Sequence, residues 1–340
     1  MTSVVDIFRT LIPSRAKSSP SGWTSFNAPC CQHRGHSPDK RRRAGIRLDS
    51  GIIYNCFNCK FTTGWKPGFP VGEKMKNLCR WLGANDDIIN SMIFESLKNK
   101  PLDYVDSVYK IDSIFAKKTL PEGALAISEW AAADLPEDVE SKILDVCQYL
   151  VDRDQDPLND SFCWSPISGF SDRVIIPFRF NKEIVGYTAR KINNGKPKYL
   201  SDQSPHYVFN IDRQHFDQRY ILVTEGPFDA LAVNGVALLT NSISEQQKRI
   251  INEVGAEVIV IPDQDQAGLN VFDQAAEYDW SVSTPTWSDD VKDCSDAVKK
   301  YGKLFVVVDA ILTAQRGKIK INLAKKRLEK KLEKISRIND

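Results

Sequence analysis

From about residue 218 onward, apolar runs and amphipathic segments alternate along the chain. The apolar runs, typical of strands, are RYILVTEG, VALLT and EVIVIPD. The amphipathic segments that follow them, typical of helices, are FDALAVNG, SEQQKRIINEVG and AGLNVFDQAAEYD. Strands that alternate with helices form βαβ units, whose strands run parallel. The alternation therefore predicts an α/β fold with a parallel sheet in this part of the chain.

Acidic residues stand where these predicted strands end. Glu225 follows one run, Asp263 and Asp265 follow another, and Asp293 and Asp296 open a further predicted helix. Because parallel strands end at one edge of a sheet, these acids can converge there. Two carboxylates about 4 Å apart repel by roughly 4 kcal/mol at an effective dielectric of about 20, which a divalent cation relieves. Oxygen ligands favour magnesium or manganese, so the pattern predicts phosphoryl-transfer chemistry. Alternatively, each acid caps a helix or lies on the surface without a catalytic role. For Asp296 taken by itself, this is the better interpretation.

A second constraint is a cluster of potential metal ligands in two pairs, each with two intervening residues. The favoured set for one structural zinc ion is Cys30, His33, Cys56 and Cys59. Two neighbours could replace one of its members: Cys31 and His36. The surrounding module has few large aliphatic residues, so zinc would supply about 10–16 kcal/mol towards its folding.

Cations and aromatic residues surround these ligands. The cations between the two pairs are Lys40, Arg41, Arg42 and Arg43, and the aromatic residues near the second pair are Tyr54, Phe57 and Trp65. Cations for phosphates with aromatic rings for bases suit single-stranded nucleic acid. The alternative for the basic run is a solvated loop.

Composition places the chain among globular proteins. Its 340 residues predict two or three domains, and a hydrophobic content of 42% with 26% charged residues is typical of a soluble protein. The absence of a long apolar run and of a secretory signal, together with eight cysteines, favours the reducing cytoplasm and no membrane partner. The net charge of +2 hides basic clusters at 40–43 and from Arg316 onward.

Six segments are predicted. They are an N-terminal helix and flexible stretch (1–22), a zinc ribbon (23–70), a helical or linker region (71–165), a basic antiparallel region (166–217), the parallel-sheet domain (218–310) and a basic amphipathic helix (311–340). The strands of the antiparallel region are RVIIPFRF, EIVGYTAR and PKYLS. The apolar face of the last helix contains Ile321, Ala324, Leu328, Leu332 and Ile335. That helix would dock on another protein, lie along nucleic acid or pack on its own domain.

The motifs resemble those of a known family. In this order, EGPFDA, DQD and KDCSD look like the three acidic motifs of the Toprim domain, which primases, topoisomerases, OLD-type nucleases and RecR-type proteins share. CCQHRGHSP followed by CFNC resembles the zinc ribbon of DnaG-type primases, and RVIIPF, GYTAR and PKYLS resemble the region that precedes Toprim in them. The chain thus resembles a DnaG-type DNA primase, in particular a bacteriophage primase without a helicase domain. The implied fold is α/β (α+β overall): a zinc ribbon, a helical linker, and a catalytic core with a mixed antiparallel subdomain and a Toprim parallel sheet.

The resemblance also implies roles for residues. Glu225 would be a metal-proximal acid and general base, with one to three magnesium or manganese ions held by Asp263, Asp265 and Asp293, and by Asp296 as an outer member. The acids of the third motif are spaced more widely here than in bacterial relatives. The cations that would bind template or nucleotide are Arg173, Arg190, Lys191 and Lys198.

The implied activity is template-directed synthesis of short RNA primers. Its partners would be single-stranded DNA, ribonucleoside triphosphates, the RNA–DNA hybrid product and a separate replicative helicase, in the cytoplasm of a host cell if the source is a phage. A Toprim nuclease and a non-catalytic RecR-like nucleic-acid-binding protein are the alternatives.

Overall fold

The computed structural model describes residues 3–49, 51–98, 115–215 and 218–339, and side chains as far as 334. Three sheets organise these residues. Two sheets are antiparallel and one is parallel, so the mixed α/β fold predicted from the sequence is confirmed. No helix in the described ranges combines the length and apolar character needed to cross a membrane.

The first sheet, here called the ribbon sheet, is an antiparallel meander in the order of the chain. Its strands are β1 (Lys17–Ser18), β2 (Trp23–Phe26), β3 (Ala44–Leu48), β4 (Ile52–Cys56) and β5 (Thr62–Trp65). Four helices accompany it: α1 (Val4–Arg9), α2 (Cys30–His33), α3 (Glu73–Trp81) and α4 (Asp86–Lys98).

The ribbon sheet shares a core with its flanking helices. Ile46 and Tyr54 of the sheet lie in one buried cluster with Phe8 of α1, Met75 of α3 and Met92 of α4. The cysteine-rich module, which has few large aliphatic residues of its own, therefore shares its core with neighbouring segments. The missing apolar surface comes from segments before and after the cysteine-rich stretch, which the spacing of the ligands does not reveal.

The second sheet, the antiparallel sheet, has the order β10-β9-β8-β7-β6. Its strands are β6 (Leu125–Ala126), β7 (Cys163–Trp164), β8 (Arg173–Phe180), β9 (Glu183–Lys191) and β10 (Tyr199–Asp202). Helices α5 (Ile127–Trp130) and α6 (Glu137–Val151) lie between β6 and β7, and a short 3₁₀ helix (Ile211–Arg213) follows β10. β6 and β7 belong to the segment that the sequence predicts as helical, so the antiparallel sheet draws on more of the chain than residues 166–217.

The third sheet, the parallel sheet, has the order β12-β11-β13-β14. Its strands are β11 (Tyr220–Thr224), β12 (Val236–Ala237), β13 (Glu257–Val260) and β14 (Ser281–Val282). Its helices are α7 (Pro227–Val233), α8 (Glu245–Glu253), α9 (Asn270–Glu277), α10 (Cys294–Tyr301) and α11 (Lys303–Thr313). The buried runs of β11 and β13 are the most regular of the apolar runs, because both faces of a parallel sheet are covered by helices.

The last helix, α12 (Lys318–Asn339), packs against α9 of its own chain. Ile321, Ala324 and Leu328 are buried and Leu332 is partly buried in the main core, as the predicted apolar face requires. The side chain of Ile335 lies outside the described residues. Of the three roles considered for this helix, packing on its own domain is the one that the structure contains.

Charged groups join the ribbon module to the parallel sheet. Arg34, from the loop after α2, pairs with Asp279, which also accepts a hydrogen bond from Arg316 at 2.7 Å. Arg316 reaches Glu257 at 2.9 Å, and Asn77 of α3 donates to the same carboxylate at 3.1 Å. Since Glu257 is the first residue of β13, the ribbon module meets the parallel sheet at the amino ends of its strands.

Candidate metal centres and nucleic-acid interface

The acids that the sequence places after strands lie at the carboxyl end of the parallel sheet. Val223 of β11 is level with Val260 of β13, so Glu225 and Asp263 follow strands that end side by side. Asp293 caps α10, where its carboxylate accepts a hydrogen bond from the backbone N–H of Asp296 at 2.8 Å.

A sixth acid, Asp229, belongs to this group although the sequence analysis assigned it no role. It lies in the first turn of α7, is buried, and accepts a hydrogen bond from the backbone N–H of Ser295 at 2.9 Å. A Cβ atom added at Gly226 would lie 2.7 Å from the Asp229 carboxylate, so the glycine makes room for it. The motif EGPFDA contained this second acid, but its place in a predicted helix concealed its direction.

These residues together form what is here called the acidic edge: Glu225, Asp229, Asp263, Asp265, Asp293 and Asp296. The loop that carries two of them turns tightly, because a Cβ atom at Gly268 would lie 2.1 Å from the carbonyl oxygen of Asp263. Asp265 accepts a hydrogen bond from the Gly268 N–H at 3.0 Å and pairs with Lys292 at 2.9 Å. The backbone thus holds the two acids of the DQD motif in different surroundings.

The acidic edge carries more negative charge than its neighbours neutralise. Burial raises the pKa of Asp263 to about 8, and the carboxylates of Asp229 and Glu225 add to the effect. Burial raises the pKa of Asp229 to about 7, with Asp293 adding to it. Burial and then the charge of Asp265 raise the pKa of Glu225. Such shifts mark a site where a cation would replace protons.

The chemistry of the donors fits a hard divalent cation. The Oε1 atom of Glu225 is buried and has no hydrogen-bond partner, so it keeps a lone pair free for a ligand. Burial opposes the ionisation of Asp265, but its hydrogen bonds with Lys292 and Gly268 outweigh burial and lower its pKa. The carboxylates are not drawn together as tightly as a finished ligand cage. Within the described ranges, the four cysteine sulfurs are the only group of three or more ligand atoms that all lie within 4.8 Å.

Cations of the antiparallel sheet face the acidic edge. The pKa of Lys198 is lowered by Arg190, by burial, and by the further cations Arg153 and Lys292, while the nearby charge of Asp293 opposes the shift. Lys198 therefore lies in the field of both a cationic cluster and an acid of the edge. Two predicted nucleotide-binding residues, Arg190 and Lys198, are brought together beside the predicted acids.

Arg153 is a cation of this cluster that the sequence analysis missed. Its guanidinium lies 5.1 Å from the ring centroid of Phe228, and that of Arg190 lies 5.6 Å from the same ring. The side chain of Arg190 also donates to the hydroxyls of Tyr149 and Tyr199. No local signal identifies Arg153, which follows α6 in a segment without a chemical motif. Its place depends on a ring of the EGPFDA motif, 75 residues further on.

The other two predicted binding cations are occupied within the protein. Arg173 is buried, and its guanidinium donates to the carbonyl oxygens of Gly169 at 3.0 Å and Pro197 at 2.8 Å. The expectation that Arg173 binds phosphate is therefore corrected: its guanidinium is bonded to the backbone carbonyls of Pro197 and Lys198, just before β10. Lys191 pairs with Asp172 at 3.0 Å.

The metal-ligand cluster of the ribbon module consists of four thiols. Its members are Cys30, Cys31, Cys56 and Cys59, all buried. The Sγ atoms of Cys30 and Cys59 lie 3.4 Å apart and those of Cys31 and Cys56 lie 3.6 Å apart. Around a tetrahedral zinc ion with Zn–S bonds of about 2.3 Å, sulfurs are about 3.8 Å apart, so the cluster fits the ion.

The structure replaces one predicted ligand. His33 was expected to complete the set, but its ring stacks on Trp81 of α3, with centroids 5.1 Å apart. Cys31, which the sequence analysis kept as an alternative, occupies the fourth position, and His36 is exposed outside the group. The ring of His33 is thus engaged by Trp81, while Cys31 joins the other three sulfurs.

The basic loop between the ligand pairs is shaped by one buried acid. Asp39 accepts hydrogen bonds from the backbone N–H groups of Ala28, Arg41 and Arg43 at 2.8, 2.8 and 2.7 Å. Three cations of the run are left exposed: Lys40, Arg41 and Arg42. The side chain of Arg43 instead contacts Asn58.

The predicted aromatic residues do not share one surface. Tyr54 and Trp65 are buried, whereas Phe57 is 64% exposed. A Cβ atom at Gly45 would touch both Phe57 and Trp23, so these two rings flank a strip of bare backbone on the ribbon sheet. Phe57, together with the exposed cations, is the part of the predicted binding surface that solvent can reach.

Comparison with known proteins adds the following. No family model matches the chain. A DNA primase from Halalkalibacterium halodurans is 29% identical over 195 residues, which make up 50% of this chain and 32% of that protein. A DNA primase from Rickettsia typhi is 35% identical over 119 residues, 29% of this chain and 20% of that protein. The chain therefore spans about a third or less of the length of the curated relatives that it matches.

Among solved structures, the zinc-binding and RNA polymerase domains of the Aquifex aeolicus primase cover 97% of this chain and 90% of their own. The TM-score is 0.39 at 18% sequence identity, too loose a likeness to assign a function. The sequence comparisons do agree with the motifs. The resemblance to DnaG-type DNA primases is thus confirmed, since half of this chain is similar in sequence to the DNA primases of bacteria.

Proposed function

We propose that this protein is a primase that synthesises short RNA primers on single-stranded DNA. One observation carries the proposal: an acidic edge with an unsatisfied buried oxygen lies opposite the cationic cluster of Lys198, Arg190 and Arg153. A polymerase of nucleotides needs both, because it must hold metal-bound triphosphates and the backbone of a template. The motifs EGPFDA, DQD and KDCSD are, in this proposal, those of a Toprim domain.

The acids of the edge take different roles. Asp263, Asp265 and Asp293 would hold magnesium or manganese, which neutralises triphosphate charge when bound. Asp229, buried beside Asp293, holds that ligand in place, and Asp296 lies outside it. Since the raised pKa of Glu225 suits proton transfer, we assign it the role of general base.

The reaction replaces a phosphoanhydride bond with a phosphodiester bond. The 3′-hydroxyl oxygen of the first ribonucleotide attacks the α-phosphorus of the second and gives its proton to Glu225. The bond between the α-phosphorus and the bridging oxygen breaks, and pyrophosphate leaves. Arg190, Lys198 and Arg153 hold phosphates of the nucleotide or template, and their contacts with aromatic rings restrict where their charges can lie.

The ribbon module would bind the template. Four thiolates with one zinc ion fix the short helix α2 against β4, and the exposed Phe57 offers a face on which a base can stack. The exposed cations of the basic loop would contact the adjacent phosphates. A separate replicative helicase as partner, a location in the cytoplasm and a bacteriophage source belong to the same proposal as expectations from the resemblance.

The test is a synthesis assay. The purified protein is incubated with single-stranded DNA, four ribonucleoside triphosphates and magnesium, with and without a replicative helicase, and labelled RNA is resolved by length. We expect short RNA that depends on template and metal. Degradation of the DNA without incorporation would indicate a nuclease. Binding without either reaction would indicate a protein that only binds nucleic acid.

A further inference from the structure

Helix α12 has two different faces. Its inner face is apolar and buried against α9, as described above. Its outer face exposes six cations: Lys318, Lys320, Lys326, Arg327, Lys330 and Lys334. None of the six makes an ion pair or a side-chain hydrogen bond with another described residue, whereas the inward-turned Lys325 and Lys331 do.

The cations fall on one side of the helix. At 3.6 residues per turn, an arc of about 120° contains Lys320, Lys326, Arg327, Lys330 and Lys334. Leu323 lies within the same arc and is 54% exposed. Cations so placed repel one another, and the helix itself offers only Glu329 and Glu333 in return. A polyanion bound along the row would relieve the repulsion among these cations.

The helix leads to the acidic edge. Arg316, just before α12, contacts Glu257 at the amino end of β13. Further along, Lys325 reaches Asp273 in the first turn of α9 at 2.8 Å. Six residues later, Lys331 donates to the carbonyl oxygen of Trp287 at 3.1 Å, in the segment that runs into Asp293. The cationic row therefore rises along the side of the parallel sheet from the ribbon junction towards the catalytic acids.

The dimensions favour a nucleic-acid strand over an acidic protein segment. From Lys320 to Lys334 the row extends about 21 Å at 1.5 Å per residue. A strand stacked as in duplex DNA places a phosphate about every 3.4 Å, so up to about six phosphates of a stacked template would face the row. An acidic protein segment would need an uninterrupted run of carboxylates to match this density.

We propose that the outer face of α12 binds the phosphate backbone of the single-stranded template and guides it along the parallel sheet to the acidic edge. The inference rests on the proposed function, since it takes DNA to be the polymer at that edge. It assigns the helix a partner that the motifs of the chain do not name.

The test measures binding without catalysis. Binding of a fluorescein-labelled 30-nucleotide single-stranded DNA is followed by anisotropy in EDTA, at several salt concentrations. The variant carries Lys326→Gln, Arg327→Gln, Lys330→Gln and Lys334→Gln. We expect about tenfold weaker binding near 0.15 M salt, and a salt slope smaller by up to about 3, since each phosphate contact on a single strand contributes about 0.7.

A matched control lies on the same helix. Glu329→Gln with Glu333→Gln also introduces amides on this helix but removes negative charge, so we expect tighter binding and an unchanged melting temperature. Unchanged affinity and slope in the lysine and arginine variant, with its fold intact by circular dichroism, overturn the proposal. If that variant binds DNA normally but is no longer stimulated by a helicase, the proposal is also overturned, and the outer face of α12 is assigned to a protein partner.

Photo-crosslinking provides a second readout. Benzoylphenylalanine replaces Leu323 on the outer face of α12 or, as the control, Leu304, which is 79% exposed on α11. Crosslinking to labelled template from position 323 well above that from 304 supports the proposal, and an equal or reversed yield overturns it. The two proposals can fail separately. RNA synthesis by the parent protein, with unchanged DNA binding in the α12 variant, contradicts only the role of α12. Weaker DNA binding in that variant, without RNA synthesis by the parent protein, contradicts only the primase activity.

Discussion

The ribbon module and the acidic edge both gather potential metal ligands, but to different degrees. Four thiols of the ribbon already lie within 4.8 Å of one another. At the acidic edge no such group forms among the described residues. Asp293 caps a helix, and Asp265 pairs with Lys292. Burial and neighbouring acids raise the pKa values of Asp263 and Asp229.

The difference separates a structural from a catalytic metal. In the ribbon, the ligands form part of the core, so loss of the metal would also disrupt the fold. At the acidic edge, the fold is held by strands, caps and an ion pair, and the cation would be added afterwards. A catalytic site needs this arrangement, because nucleotides arrive and leave with their magnesium.

The largest expected effect lies in the ribbon. Cys31→Ser should lose most of the zinc and, with it, a large part of the roughly 10–16 kcal/mol that a structural zinc contributes. His33→Ala is the matched control and should keep about one zinc per chain, because His33 stacks on Trp81 instead of facing the sulfurs. Elemental analysis of the purified variants measures this directly. Zinc lost from His33→Ala but kept by Cys31→Ser would reverse our ligand assignment.

The next largest effect lies at the acidic edge. Asp263→Asn should reduce primer synthesis at least about 10³-fold, about 4 kcal/mol in the activation barrier. The melting temperature should stay equal or rise, because asparagine removes a carboxyl group whose ionisation burial and neighbouring acids oppose. Asp273→Asn, at an exposed acid paired with Lys325, serves as control and should stay within about twofold of the parent. A variant at Asp263 that both unfolds and loses activity would make this acid structural.

A smaller effect follows from proton competition. Because the pKa of Asp263 is raised to about 8 in the folded protein, the native state keeps a proton that the unfolded chain releases above about pH 4. Without metal, stability should therefore fall as the pH rises from about 4 to about 8. Magnesium at 100 times its Kd should restore about 2.7 kcal/mol at pH 8 and less at pH 6.

Thermal unfolding across this pH range, with and without magnesium, measures the effect. Asp263→Asn should flatten both the pH profile and the magnesium response, which serves as the control. Equal stabilisation by magnesium at pH 6 and pH 8 would show that protons and the cation do not compete at this edge.

The smallest expected effect concerns the open surface of the ribbon. Phe57→Ala should weaken binding of single-stranded DNA by about 1–3 kcal/mol, the usual contribution of one stacked base. Phe94→Ala, on α4, removes another exposed ring and should leave the affinity unchanged. Fluorescence anisotropy with the same DNA compares them. An equal loss of affinity in both variants would mean that non-specific hydrophobic contacts, and not a stacking site at Phe57, account for binding.

The features that could be predicted from the sequence depend on neighbouring residues. The run that ends at Glu225 and the run that ends before Asp263 mark β11 and β13, because burial on both faces leaves uninterrupted apolar stretches. Their parallel pairing then brings the two acids to one edge. The paired cysteines likewise mark a metal site by local spacing.

The features that escaped prediction depend on distant contacts. Arg153 is placed by Phe228, Asp229 by the backbone of Ser295, and the choice of Cys31 over His33 by Trp81. Arg173 appears in the sequence as one more cation in a basic segment. Only the carbonyl groups that converge on it show that its charge is used inside the protein.

The ion-paired junction has a consequence for the substrate. Arg34 and Arg316 fasten the ribbon module where β13 begins, whereas the acids follow where it ends. From Glu257 to Asp263 an extended chain covers about 20 Å, the length of about six nucleotides in a strand stacked at 3.4 Å as in a duplex. A template that touches both ends of the sheet therefore has a minimum length. Oligonucleotides much shorter than six nucleotides can contact one end of the sheet or the other. Only longer ones can contact the ribbon module and the acidic edge at the same time.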